Sequence, residues 1–185
     1  MGVVGDSLDR ASQEAFTRPI PKSAGAQMRY LVRQYKGSTR AVAGLLGISQ
    51  RTVERYVSGQ FRTPKAPLAA RMETEVRQRW QPRVRRYARA KAARETGLTI
   101  ETRARFGFTA APGTTDDGRM RRLTQHLPPT YANRLLAAQD AGATEADLQA
   151  LAAEGLQNVY FRDGGARADG LLVEFTDIDY IDVAF

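Results

Sequence analysis

Gln50, Arg51, Thr52 and Arg55 crowd into the short segment SQRTVERYVSG, residues 49–59. Glutamine, arginine and threonine are side chains that bond base edges in a DNA major groove and the phosphate oxygens beside it. Ser49 stands where a helix N-cap would, which puts these residues on the outer, N-terminal surface of the helix it starts. Gln50, Arg51 and Arg55 are the expected base contacts, with Arg40 and Thr52 expected on phosphate. The residues upstream explain how such a helix would be held. Ala43 is small enough for two helices to cross closely, and Gly47, four residues later, can take the positive φ of a tight turn. Val42, Leu45, Leu46, Ile48, Val53 and Val57 supply a shared apolar seam, with Tyr56 at its edge. The pattern is that of a helix-turn-helix over residues 38–58. A plain helical hairpin would explain Gly47 as a cap, but not the arginine and glutamine on the outer surface.

A second concentration of cations follows. Arg77, Arg79, Arg83, Arg85, Arg86, Arg89, Lys91 and Arg94 occur with no acid between them. At about 100° per residue, Arg79, Arg83 and Arg86 share one side, and Trp80, Val84 and Tyr87 form an apolar stripe beside it. Such a helix would lay the stripe on a core and the arginines along a phosphate backbone, whatever its sequence. Most charge runs are only solvated faces, but the self-repulsion of this one favours a polyanionic partner. A run such as 83–91 also fits a targeting signal.

Nucleophiles and metal ligands are sparse. With no cysteine there is no disulfide, no thiolate and no cysteine-ligated zinc. The single histidine, His126, precedes Leu127, Pro128 and Pro129 and is assigned no role. Phosphate-binding glycine loops, dinucleotide fingerprints and nucleophile–histidine–acid patterns do not occur. No catalytic residue and no metal ligand is therefore assigned, and an independent enzyme is not expected. Asp116 and Asp117 adjoin in a turn, where solvent exposure is the plainer reading. Asp177, Asp179 and Asp182 resemble the acidic strands of metal-dependent nucleases, but the solvent face of a strand explains them more simply. Thr114 and Thr115 offer hydroxyls in AAPGTTDDG, residues 110–118, the clearest loop in the chain.

The elements that must position these groups follow from periodicity. A short helix fits residues 7–16, closed off by Pro19 and Pro21. From Ser23, the residues Met28, Leu31, Val32 and Tyr35 mark one helical face. Gly37 and Ser38 then stop one helix and start the next, and Gly59 ends the third. Leu68, Met72, Val76, Trp80 and Val84 recur every fourth residue as one long amphipathic helix, which Pro82 must kink or restart. Gly97 closes it, and residues 99–109 compose as a strand. Helices fit 129–139 and 144–154, the second opened by a Thr144–Asp147 capping box. Residues 159–161, a turn at 162–165, and 171–185 read as a terminal β-hairpin with one buried and one acidic face. The expected fold is α+β. Residues 1–22 form an arm, and 23–97 a helical helix-turn-helix domain continued by the long arginine-rich helix. Residues 98–185 form a smaller α+β part that holds the 110–118 loop.

Composition limits the partners. The 185 residues carry a formal charge of +8, unevenly placed. Residues 1–109 hold 22 Lys and Arg against 8 Asp and Glu, whereas residues 110–185 hold 6 against 12. Most of the cations are arginine, whose planar fork suits phosphate. A cationic half that meets an anionic polymer gains affinity by releasing counterions. No segment approaches the roughly 20 apolar residues of a membrane span, and residues 1–10 lack the apolar core of a secretory signal. A nucleic-acid partner, no membrane, and a cytoplasmic location are expected.

The chain also resembles a known family along its whole length. MGVVGDSLDRA, GSTRAVAGLLGISQRTVERYVSGQFRTP, the APGTTDDG loop and YFRDGGARADGLLVEFTDIDYIDVAF are similar to the terminal proteins of the Tpg type, which cap linear chromosomes and plasmids of Streptomyces. The resemblance implies a protein joined covalently to the 5′ end of telomeric DNA, its hydroxyl priming the synthesis that patches the recessed end. Thr114 is the residue that matches the family's priming threonine, with Thr115 its immediate competitor. Mg2+ and the deoxynucleoside triphosphate would come through a partner DNA polymerase. A telomere-associated protein would recruit the chain to the single-stranded end, and the location would be the bacterial cytoplasm, at replicon ends with the nucleoid. Two other readings stay open. A transcriptional or plasmid-maintenance regulator would use the same helix-turn-helix as a dimer on duplex DNA. A nucleic-acid enzyme would use Asp177 and Asp179 to bind metal.

Overall fold

The computed structural model describes residues 2–109, 120–162 and 172–185. In chain order the helices are α1 (Val3–Glu14), α2 (Ala24–Gln34), α3 (Thr39–Leu46), α4 (Gln50–Val57), α5 (Ala66–Arg79), α6 (Pro82–Lys91), α7 (Pro129–Asp140) and α8 (Glu145–Leu156). Three strands, β1 (Leu98–Thr109), β2 (Met120–Leu127) and β3 (Leu172–Ala184), form an antiparallel sheet in the order β2-β1-β3. The fold is α+β. Two compact units divide it: Thr17–Pro82 is one, and Met1–Phe16 with Arg83–Phe185 is the other.

The Thr17–Pro82 unit is helical and follows its local signals closely. Ser23, Ser38 and Ser49 cap α2, α3 and α4, accepting from the amides of Ala26, Ala41 and Thr52 at 3.3, 3.1 and 3.2 Å. Gly47 ends α3 at φ 63°, ψ 38°, and the Ile48 amide returns to the Ala43 carbonyl at 3.0 Å. Met28, Leu31, Val42, Leu46, Val53, Met72 and Val76 are fully buried in one core. Tyr56 belongs inside that core rather than at its edge, because α2 covers the side of α4 that a two-helix picture leaves open.

The expected long basic helix does not form. α5 stops at Arg79, Trp80 is extended (φ −74°, ψ 127°) and Gln81 takes φ 41° before Pro82 starts α6. Proline cannot donate the bond that would continue α5, and other bonds fix the break. The Trp80 indole donates to the Arg18 carbonyl at 3.1 Å, and the Gln81 side chain accepts from the Thr17 amide at 2.9 Å. Tyr30 packs edge-on against Trp80 and donates its hydroxyl to the Arg79 carbonyl; burial pushes its pKa up, against the pull of Arg79 and Arg33. These contacts hold the first and last residues of the unit side by side, as an inserted unit requires. The helical domain therefore ends at Pro82, not at residue 97.

In the other unit, inward residues of the sheet (Leu98, Ile100, Ala104, Phe106, Leu123, Leu127, Ile181 and Val183) share a core with Leu8 of α1, Leu135 of α7, and Leu148 and Leu156 of α8. Residues 1–22 are thus not an arm, because α1 buries Val4, Leu8 and Ala11 here. Polar bonds fix it. The Ser7 hydroxyl accepts from the Val183 amide at 2.8 Å. The Glu145 carboxylate accepts from the Val4 and Gly5 amides at 2.8 and 3.2 Å, an acid at the helix N-terminus from far along the chain. A side chain at Gly2 would have to displace the Glu145 carboxylate, since an added Cβ would lie 2.0 Å from it.

Thr144 and Asp147 form the expected capping box on α8, and those bonds hold the Asp147 carboxyl below its usual pKa. The expected terminal hairpin is replaced by another pairing. Residues Gln157–Phe161 continue α8 as a π-turn, where the Gln157 side chain accepts from the Val173 amide at 2.8 Å and Phe161 packs on Phe106. β3 pairs with β1 instead. A three-residue apolar run such as Val159–Phe161 suits a buried helix end as well as a strand. Two register shifts in the β1–β3 ladder displace β3 by a residue at Thr176 and at Asp179. The shift at Asp179 turns Tyr180 outward and Ile181 inward, opposite to what simple alternation from Ile178 gives.

Candidate nucleic-acid interface

The α3–α4 pair presents an exposed polar surface with defined internal bonds. Gln50, at the start of α4, donates from Nε2 to the Thr39 hydroxyl at 3.1 Å and to the Glu54 carboxylate at 2.9 Å. This ties the first turn of α3 to the outer side of α4. An adenine contact needs the Gln50 amide to donate as well as accept, so it would have to displace one of these bonds. Arg51 and Arg40 are exposed. Thr52 shares a 2.8 Å bond with the Ser49 hydroxyl, and the Arg55 guanidinium lies 5.2 Å over the Phe61 ring. Two further arginines hold helix ends: Arg71 donates to the Leu46 carbonyl at 2.9 Å, and Arg29 to the Val57 carbonyl at 3.3 Å. Sequence reasoning passed over Glu54, although its i, i+4 spacing from Gln50 signals the bond. A carboxylate on this face can accept from a cytosine amino group and repels phosphate.

The cations between positions 77 and 94 fall into two sets. Arg77 pairs with Glu73 at 2.6 Å, Arg79 with Glu75 and Tyr35, and Arg85 with Asp9. Arg89, largely buried, donates to Gln139, to the Leu136 carbonyl and to Asp140 at 2.8, 3.2 and 2.6 Å. Its desolvation lowers the guanidinium pKa against the opposing pull of Asp140. Arg83, Arg86, Lys91 and Arg94 are exposed, with no ion pair or side-chain hydrogen bond among the described residues. The expected single helix carrying Arg79, Arg83 and Arg86 is not built, because the break at Gln81 interrupts the helical register, and Arg79 is held by Glu75. Nor is Tyr87 part of an apolar stripe on the core: it is 71% exposed.

The outer surface of the sheet matches acids with arginines. Asp179 pairs with Arg103 at 2.9 Å and Asp182 with Arg10 at 2.7 Å. Glu101 accepts from Arg122 at 2.7 Å and from the Tyr180 hydroxyl at 2.9 Å, bonds that hold its carboxyl below the usual pKa. Among the described residues no group of three or more histidines and carboxylates could hold a metal ion, and no helix is long and apolar enough to cross a membrane. His126 is exposed, beside the Thr99 hydroxyl. Thr114 and Thr115, with Asp116 and Asp117, lie outside the described residues, in the segment between β1 and β2. No protein-family model, curated protein or solved structure matches the chain.

Proposed function

We propose that this chain is a DNA-binding terminal protein that docks on telomeric duplex DNA through α3 and α4 and presents the Thr114 hydroxyl as a primer for end-patching synthesis. One observation carries the DNA-binding part. A serine-capped, eight-residue α4 sits across a glycine turn from α3 with Gln50 and Arg51 outward, the geometry and chemistry by which a short helix reads base edges. In this reading Thr17–Pro82 is the helix-turn-helix domain, α6 adds a basic face, and residues 98–185 carry the priming segment. The resemblance of the strings quoted above to Tpg-type terminal proteins supports the priming part.

In the priming step, the Thr114 oxygen attacks the α-phosphate of a deoxynucleoside triphosphate. A Thr–O–P bond forms, the bond to the β-phosphate bridging oxygen breaks, pyrophosphate leaves, and the hydroxyl proton passes to a base of the polymerase. The polymerase supplies Mg2+ and the carboxylates that hold it. The chain supplies the nucleophile and its position on the template, with a telomere-associated protein bringing it to the single-stranded end.

The test is label transfer. The protein is incubated with a labelled deoxynucleotide, Mg2+, telomeric template and polymerase, and then denatured and mapped. Label that survives denaturation, lies in residues 110–118 and vanishes in Thr114→Ala but not in Thr115→Ala is expected. No label where a known terminal protein is labelled would overturn the reading and leave a helix-turn-helix regulator in its place.

A further inference from the structure

Tyr87 projects from the middle of α6 with 71% of its surface exposed. Arg83 and Lys91 stand one turn before and one turn after it, Arg86 adjoins it, and Arg94 follows in the next turn. All four are exposed and have no ion pair among the described residues. Their neighbours Arg85 and Arg89 are engaged by Asp9 and Asp140. Among the described residues, acids thus meet the inner cations of this helix and not the outer ones. Arg83 and Lys91 lie about 12 Å apart along the helix axis at 1.5 Å per residue, enough to follow more than one phosphate. An isolated exposed tyrosine is unremarkable. One set among unneutralised cations is the arrangement by which proteins hold single strands, where the ring stacks on an unpaired base and the cations follow the backbone. A duplex has no use for the ring, because its bases are already stacked on one another.

We propose that this face of α6 is a binding site for single-stranded nucleic acid, with Tyr87 as the stacking residue and Arg83, Arg86, Lys91 and Arg94 as its phosphate contacts. The site takes the unpaired strand of a DNA end without regard to sequence, while α4 addresses duplex. The inference rests on the DNA-binding reading above for the kind of polymer, and the face lies outside the Thr17–Pro82 unit that carries α4.

Fluorescence anisotropy with labelled oligo(dT) of about 16 nucleotides, the upper end of known single-strand site sizes, tests it on the full chain. Wild type binds, and Tyr87→Ala loses about 5- to 150-fold, the range expected for one base stack. Tyr87→Phe, which keeps the ring, stays near wild type, and the loss on a mixed-sequence duplex is markedly smaller. The exposed position makes misfolding of Tyr87→Ala unexpected, and an unchanged thermal melt checks that.

The proposal is overturned if wild type does not bind oligo(dT), if Tyr87→Ala binds it as wild type does, or if Tyr87→Phe fails as badly as the alanine. It is also overturned if poly-glutamate displaces oligo(dT) as well as unlabelled oligo(dT) does, which would assign the face to an acidic protein. Tyr87-dependent binding without Thr114 labelling would remove priming alone. Labelling without Tyr87 dependence would remove this site alone.

Discussion

The outer faces of α4 and α6 are both short, polar and helical, yet they are built in opposite ways. On α4 three of the outward side chains are held, Gln50 by Thr39 and Glu54, Thr52 by Ser49 and Arg55 over Phe61, and Arg51 is exposed beside them. On α6 the outward cations Arg83, Arg86 and Lys91 surround an exposed ring and meet no partner among the described residues. Directional donors and acceptors held in place discriminate between base edges, because a mismatched edge leaves them unpaired. Loose cations beside an aromatic ring discriminate little, since every nucleotide has a phosphate and a π-face. On the two proposals above, one chain would carry two modes of nucleic-acid contact, in separate units.

The sharpest way to break this comparison is to disable one unit. Leu46 is fully buried where α3 meets α4. Leu46→Ala removes core volume and is expected to cost that unit about 2–5 kcal/mol, enough to abolish preference among duplex sequences while oligo(dT) binding persists. A lower melting transition, with duplex selectivity lost and single-strand binding kept, is the expected result. Equal loss of both activities would show that the two faces depend on one another.

The smallest effect sharpens the account of the sheet unit. Arg134 grips the α8 carboxylate Glu154 at 2.6 Å and holds its pKa below the ordinary range. The contribution is therefore full above the unfolded-state pKa and is lost as pH falls through the lowered native value. Both side chains are well exposed, so Glu154→Gln is expected to cost only about 0.5 kcal/mol at neutral pH. The difference from wild type should shrink on acidification, and denaturant melts at neutral and acid pH would measure it. A difference that grew toward acid would refute the assignment.

What could be read from the sequence was local. Serine caps three residues before the amides they bind, glycine after the last apolar residue of α3, and the Thr144–Asp147 box are all written within one turn of chain. They set α2, α3, α4 and α8, and with them the outward positions of Gln50 and Arg51. What could not be read depends on partners far along the chain. α1 enters the sheet unit through Ser7 bonding to Val183 and through Glu145 at its N-terminus, pairings that leave no short-range trace. The cations at 85 and 89 looked available until Asp9 and Asp140 were placed beside them. Tyr87 looked buried because the four-residue period from Leu68 was carried through Pro82, whereas the positive φ of Gln81 resets it. Strand alternation from Ile178 fails at Tyr180 for a similar reason, since the bulge at Asp179 shifts its parity. Thr114, the residue on which the priming proposal turns, rests on resemblance alone.

The most direct test of the two-mode account is a matched set of titrations over a range of salt. Wild type, Arg51→Ala, and the double variant Arg83→Ala with Arg86→Ala would each be titrated against a duplex selected from a random pool, its scrambled counterpart and oligo(dT). Arg51→Ala is predicted to lose about 1–3 kcal/mol on the selected duplex and little on the scrambled one. The double variant is predicted to lose affinity for oligo(dT) and to flatten its slope of log affinity against log salt by up to about 0.7 for each phosphate contact removed, with a much smaller change on either duplex. Equal losses for Arg51→Ala on both duplexes, with an unchanged oligo(dT) salt slope in the double variant, would contradict the account.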